Sequence, residues 1–88
     1  MTKHTLVALV EDKPGVLNEM ASLFRRRGFN IESVNVIETD VGSSKLPHLT
    51  RVTIVVAGSS SKLELVRKQL EKIVDVVRVS DITAEDKV

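Results

Sequence analysis

The residues best placed to do chemistry in this 88-residue chain cluster at Val10-Glu11-Asp12-Lys13-Pro14-Gly15-Val16-Leu17. An apolar run stops there, a Pro-Gly pair follows, and a helical pattern begins at once. A strand end, a tight turn and a helix N-terminus therefore meet within a few residues. Such a junction leaves backbone N–H groups that the helix cannot satisfy internally. A small anion can satisfy them, and the helix dipole favours its charge. Gly15 lacks a Cβ, so its N–H can approach a ligand carboxylate closely. Asp12 can face an ammonium on the same ligand. The same residues also read as a plain strand-to-helix turn, with Pro14 at the first helical position. Asn30 is the second candidate. Its amide can donate to a carboxylate and accept from an amine at once, or it is a turn residue beside Gly28.

Other chemistries find little support. Arg25-Arg26-Arg27 is either a phosphate patch or a solvated helix end, and a net charge of +1 favours the solvated end. His4 and His48 have no Cys, His or acidic cluster at metal spacing, so no metal ligands are assigned. No Ser sits in a nucleophile elbow, and no His–acid pair is evident, so no catalytic set is assigned. With no cysteine there is no disulfide, thiol nucleophile or thiolate site. Two Phe as the only aromatics are too few for base-stacking platforms, which argues against nucleic acid. The longest apolar runs fall far short of a membrane span. Met1 to His4 is polar and lacks the long apolar core of a signal peptide, and the lack of cysteine fits the expected cytoplasmic location.

The elements that must position the turn follow from periodicity. Thr5 to Glu11 reads as a buried strand. Pro14 to Arg27 reads as a helix, with Val16, Leu17, Met20, Ala21, Leu23 and Phe24 on one face and Gly28 as a left-handed cap. Phe29 to Val41 alternates as a second strand, Val34 and Val36 on one face, Ser33, Asn35 and Ile37 on the other. Gly42 to His48 is a loop. Leu49 to Gly58 is a third strand. Ser61-Lys62-Leu63-Glu64 matches a capping box that opens a helix over 62–73. Asp75 to Ile82 is a fourth strand, with Val77 and Val79 inward and Arg78 outward, and Thr83 to Val88 is expected to fray.

The order β-α-β-β-α-β predicts an α+β, ferredoxin-like domain, a four-stranded antiparallel sheet with both helices on one face. The bare face would carry Ser33, Thr53, Val55 and Arg78. A half-apolar face or an open edge strand is readily covered by a second copy, so a homodimer is expected.

The turn Glu11 to Leu17 resembles the first-turn motif of ACT domains, which are small-molecule-sensing modules with this element order. The strings Arg26-Arg27-Gly28-Phe29-Asn30-Ile31-Glu32-Ser33, Leu49 to Val56 and Leu70 to Val79 are more specific. Together they resemble the regulatory small subunits of acetolactate synthase (acetohydroxyacid synthase), from about His4 to about Ile82. That resemblance implies a single ACT domain over 1–88, with a core of about 4–82 and without the C-terminal domain of longer small subunits. It also implies a non-catalytic subunit that activates the catalytic subunit and confers feedback inhibition by valine, sometimes leucine or isoleucine. No cofactor is implied for this chain; thiamine diphosphate, Mg and FAD would belong to the catalytic subunit.

The resemblance further implies that two ACT domains pair side by side into one continuous sheet, with effector bound between them. Carried over by position, Asp12, Gly15, Val16, Leu17, Asn30 and Ile31 would line that site. Gly15 and the following N–H groups would hold the effector's carboxylate, Asp12 and Asn30 its amino group, and Val16, Leu17 and Ile31 its aliphatic side chain. Many family members have Asn where this chain has Asp12. Its full charge suits the ammonium and disfavours the nearby carboxylate. The alternative is a stand-alone ACT sensor that regulates another enzyme or transcription. An RNA-recognition domain of the same topology is disfavoured, because Leu6 to Val10 and Val52 to Val56 carry no aromatic residue. An acylphosphatase-like enzyme would need an Arg in a Gly-rich phosphate loop, for which Lys13-Pro14 is a poor substitute.

Overall fold

A computed structural model of the chain describes residues 2–11, 15–38 and 49–86. The elements run β1 (Thr2–Glu11), α1 (Val16–Arg26), β2 (Asn30–Glu38), β3 (Leu49–Gly58), α2 (Ser60–Leu70), β4 (Val76–Asp81) and a short α3 (Thr83–Asp86). The four strands form one sheet in the order β2-β3-β1-β4, and each neighbouring pair is antiparallel. This is the expected ferredoxin-like α+β topology. The expected loop 42–48 and the end of the second strand, 39–41, lie outside the described residues.

One face of the sheet meets the helices. Leu6, Ala8 and Val10 of β1 alternate inward with Val52, Ile54 and Val56 of β3, all buried. Val16, Met20, Leu23 and Phe24 of α1 and Leu63, Val66 and Leu70 of α2 close over them. Phe24, Phe29 and His4 stack edge to face, with ring centroids 6.2 and 6.4 Å apart.

Several local expectations are corrected. α1 begins at Val16, behind Gly15 in the left-handed region at φ 87°, and Pro14 lies outside the described residues. α2 starts at Ser60 rather than after Ser61. The capping box does not form: the Ser61 hydroxyl meets that of Ser59, and Glu64 is held by Arg67. On β4 the inward residues are Val76 and Val79, while Val77 is exposed. A register shift at Leu9/Val10 takes up one extra residue there, which turns Val77 outward. Thr83–Asp86 form the short α3, whose start is tied to β1: the Ile82 N–H donates to Thr5 O, and Thr83 Oγ1 accepts from the Thr5 N–H, while residues 87 and 88 lie outside the described residues.

Those two bonds also set the parity of the sheet. Antiparallel residues direct N–H and C=O alternately to one neighbour and then the other. Thr5 faces β4, so Leu6 and Ala8 face β3. Thr53 and Val55 of β3 then face β2, bonding Asn35 and Ser33. Val34 and Val36 consequently point their backbone groups out of the sheet edge.

Candidate functional site

The first turn delivers the helix N-terminus as expected. Gly15 is exposed, and its C=O accepts from the Glu19 N–H at 2.9 Å. Among the described residues no side chain caps α1, and the first turn of a helix leaves N–H groups that the helix itself does not satisfy. A Cβ at Gly15 would meet nothing within 4 Å, so glycine is required there for its φ and not for space. Asp12 lies outside the described residues.

Beside this turn α1 and β2 enclose a cavity of about 300 Å³. Leu17, Asn18 and Ala21 form one wall, Ile31 and Val34 the other, and Ile54 the floor. Leu17 is 39% exposed, whereas Val16 is 4% exposed and belongs to the core. The structure thus brings Leu17 and Ile31 together and turns Val16 away from solvent. Ala21 and Val34 were not singled out as site residues. The signal for them was present, since Ala21 follows Leu17 by one helical turn and Val34 shares a strand face with Val36.

Asn30 stands elsewhere. It is paired with Ala57, which pairs with Lys3 at the start of β1. Glu11, at the other end of β1, is eight residues away, about 27 Å at the usual strand rise. Within one chain Gly15 and Asn30 therefore occupy opposite ends of the sheet. The exposed Asn30 amide donates to Glu32 Oε2 at 3.1 Å, and Lys3 Nζ lies 3.8 Å from Glu32 Oε1.

A second polar cluster was missed in the sequence. On α2, Arg67 donates to both Glu64 carboxylate oxygens, at 2.9 and 2.7 Å. Its other nitrogen donates to Val79 O at 3.1 Å. The Arg67 hydrogen bonds hold the Glu64 carboxyl below its ordinary range, and Glu64 in turn raises the Arg67 guanidinium. Among the described residues no group of three or more His, Cys, Asp or Glu side chains could hold a metal ion, and no helix is long and apolar enough to cross a membrane.

The family model described as the AHAS small subunit-like ACT domain matches residues 6–78. The chain belongs to that family. This ACT domain is 52% identical over 81 residues to the probable acetolactate synthase small subunit of Archaeoglobus fulgidus, covering 92% of this chain and 48% of that protein. It is 47% identical over 83 residues to the acetolactate synthase small subunit of Mycobacterium leprae, covering 94% of this chain and 46% of that protein. The ACT domain thus spans about half the length of these curated relatives. The crystal structure of the Thermotoga maritima acetolactate synthase small subunit superposes with a TM-score of 0.75 at 41% identity, over 92% of this chain and 47% of that one. The ACT domain of GTP pyrophosphokinase from Chlorobium tepidum shares the fold, with a TM-score of 0.67 at 16% identity, over 90% of this chain and 95% of that one.

Proposed function

We propose that this ACT domain is a non-catalytic regulatory module of acetolactate synthase, acting in branched-chain amino acid biosynthesis in the cytoplasm. It associates with the catalytic subunit, raises its activity and transmits feedback inhibition by valine or a related branched-chain amino acid. Thiamine diphosphate, Mg and FAD are assigned to the catalytic subunit. Residues 1–88 act as one ACT domain with its core over about 4–82. The observation that carries the reading is the 52% identity to a small subunit across nearly the whole chain.

The geometry supports a shared effector site. Two copies joined antiparallel through their β2 edges would form one eight-stranded sheet. That arrangement sets the Asn30 end of one copy beside the first turn of the other. The placement of Gly15 and Asn30 at opposite ends of one chain supports a site shared between two copies. Gly15 and the N–H groups after it hold the effector's carboxylate, and Asp12 and the partner copy's Asn30 hold its amino group. Leu17 and Ile31, on the walls of the α1–β2 cavity, contact the aliphatic side chain. Val16 supports this wall from the core.

Calorimetric titration with valine, leucine and isoleucine tests the reading. Heat from valine that disappears in Gly15→Asp supports the site, because an added carboxylate repels the ligand's own at the N–H cradle. A folded dimer that takes up none of the three amino acids overturns the effector assignment. Failure to bind any acetolactate synthase catalytic subunit overturns the regulatory one.

A further inference from the structure

The two edges of the sheet are finished differently. At the β4 edge the outward-facing backbone of Val79 is already occupied. Its N–H donates to Glu71 Oε2 at 2.9 Å, and its C=O accepts from Arg67 Nη1 at 3.1 Å. The two side chains stand one turn apart along the helix, with Arg67 Nη1 3.2 Å from Glu71 Oε2. Glu64 grips the other side of the guanidinium. Arg67 keeps 22% and Glu71 34% of its side chain exposed, so both lie against the strand edge.

An incoming strand would need those same groups. In an antiparallel ladder each outward residue exchanges both its N–H and its C=O with one partner residue. Val79 sits within a six-residue strand, so losing that pair removes a middle rung. Its present partners are charged, which makes these bonds stronger than the neutral backbone bonds an added strand would offer. At the opposite edge the backbones of Val34 and Val36 point outward, and among the described residues no side chain bonds them. Their side chains are 49% and 46% exposed.

We propose that Arg67 and Glu71 form an edge guard that closes β4 to strand addition, so that copies of this chain join only through β2. A sheet with two open edges can grow without limit, whereas one with a single open edge stops at a two-fold pair. The stop at two rests on the β2 pairing proposed above; the closure of β4 does not.

Amide hydrogen exchange and sedimentation velocity on the full chain test this. In the native chain the Val79 amide is expected to be protected at least tenfold over its intrinsic rate. In Arg67→Ala/Glu71→Ala that protection is lost, and species larger than the native one accumulate with concentration. Glu71→Gln, which keeps Arg67 and an acceptor for the Val79 N–H, is expected to keep the native size distribution. A Val79 amide unprotected in the native chain overturns the guard, and this needs no variant to fold. So does a folded double variant, by circular dichroism, that sediments like the native chain. If the native chain is a monomer, the β2 pairing falls, and the guard is read separately by whether the double variant now self-associates.

Discussion

The ring of Phe29 occupies the space that a side chain at Gly58 would need. A Cβ built at Gly58 falls 2.6 Å from Phe29 Cε2 and closer still to Cδ2. Phe29 is 3% exposed and packs edge-on against both Phe24 and His4, so the ring has little room to yield. Phe29 lies next to Asn30, the first residue of β2, which pairs with Ala57 beside Gly58.

Gly58→Ala is therefore expected to destabilise the fold by about 1–3 kcal/mol through overpacking. Urea unfolding measures it. Combining it with Phe29→Leu should recover part of the loss, so that the double variant costs less than the two single changes together.

Gly15→Ala should cost about 1–2 kcal/mol for a different reason. No atom stands within 4 Å of the added Cβ, but the residue is held at φ +87°, where an L side chain meets its own backbone. Gly15→Asn should cost less, since asparagine tolerates that region better. Urea midpoints of the two variants separate backbone strain from steric clash.

His4 is 6% exposed, and among the described residues its Nε2 has no hydrogen-bond partner. His4→Leu is expected to raise stability by about 1 kcal/mol, because it removes a buried polar atom left unsatisfied. A lowered thermal midpoint would show instead that the ring's stacking on Phe29 outweighs the orphaned nitrogen.

Val36→Lys tests the open edge. The residue is 46% exposed, so the change should alter folding stability by no more than about 0.5 kcal/mol. Placed on an edge strand, a lysine discourages pairing. Sedimentation should shift from dimer to monomer while circular dichroism stays unchanged.

Glu64→Gln probes the pH dependence of the α2 cluster. The Arg67 hydrogen bonds depress the Glu64 pKa in the folded state, so the carboxylate's contribution is present above the unfolded value. It is lost as the pH falls through the depressed folded value. The native chain should be more stable than the variant at neutral pH, with the difference vanishing in acid. Glu64 is exposed, so the difference should be small and should shrink with added salt. Thermal unfolding of both proteins across that pH range measures it.

What was legible in the sequence was local. The alternation of Val52, Ile54 and Val56, the helical spacing of Val16, Met20 and Phe24, and the Pro14-Gly15 punctuation each depend on near neighbours. They yielded the element order, the buried faces and a helix N-terminus at the first turn. The strings around Asn30 and Arg51 carried the family likeness.

Tertiary pairing decided the rest. Val77 lost its inward place because the register shift lies between β1 and β4, which no local pattern records. The Ser61–Glu64 box gave way because α2 starts at Ser60, which puts Ser61 inside the first turn rather than at the N-cap, and Glu64 is then held by Arg67 through two charge-assisted bonds. Arg67 and Glu71 stood visibly one helical turn apart, yet only strand order put the Val79 backbone within their reach. Register likewise set Gly15 and Asn30 at opposite ends of the sheet. Periodicity reports which face of an element is buried; which strand stands beside it, and which edge is left open, depends on contacts between residues far apart in the chain.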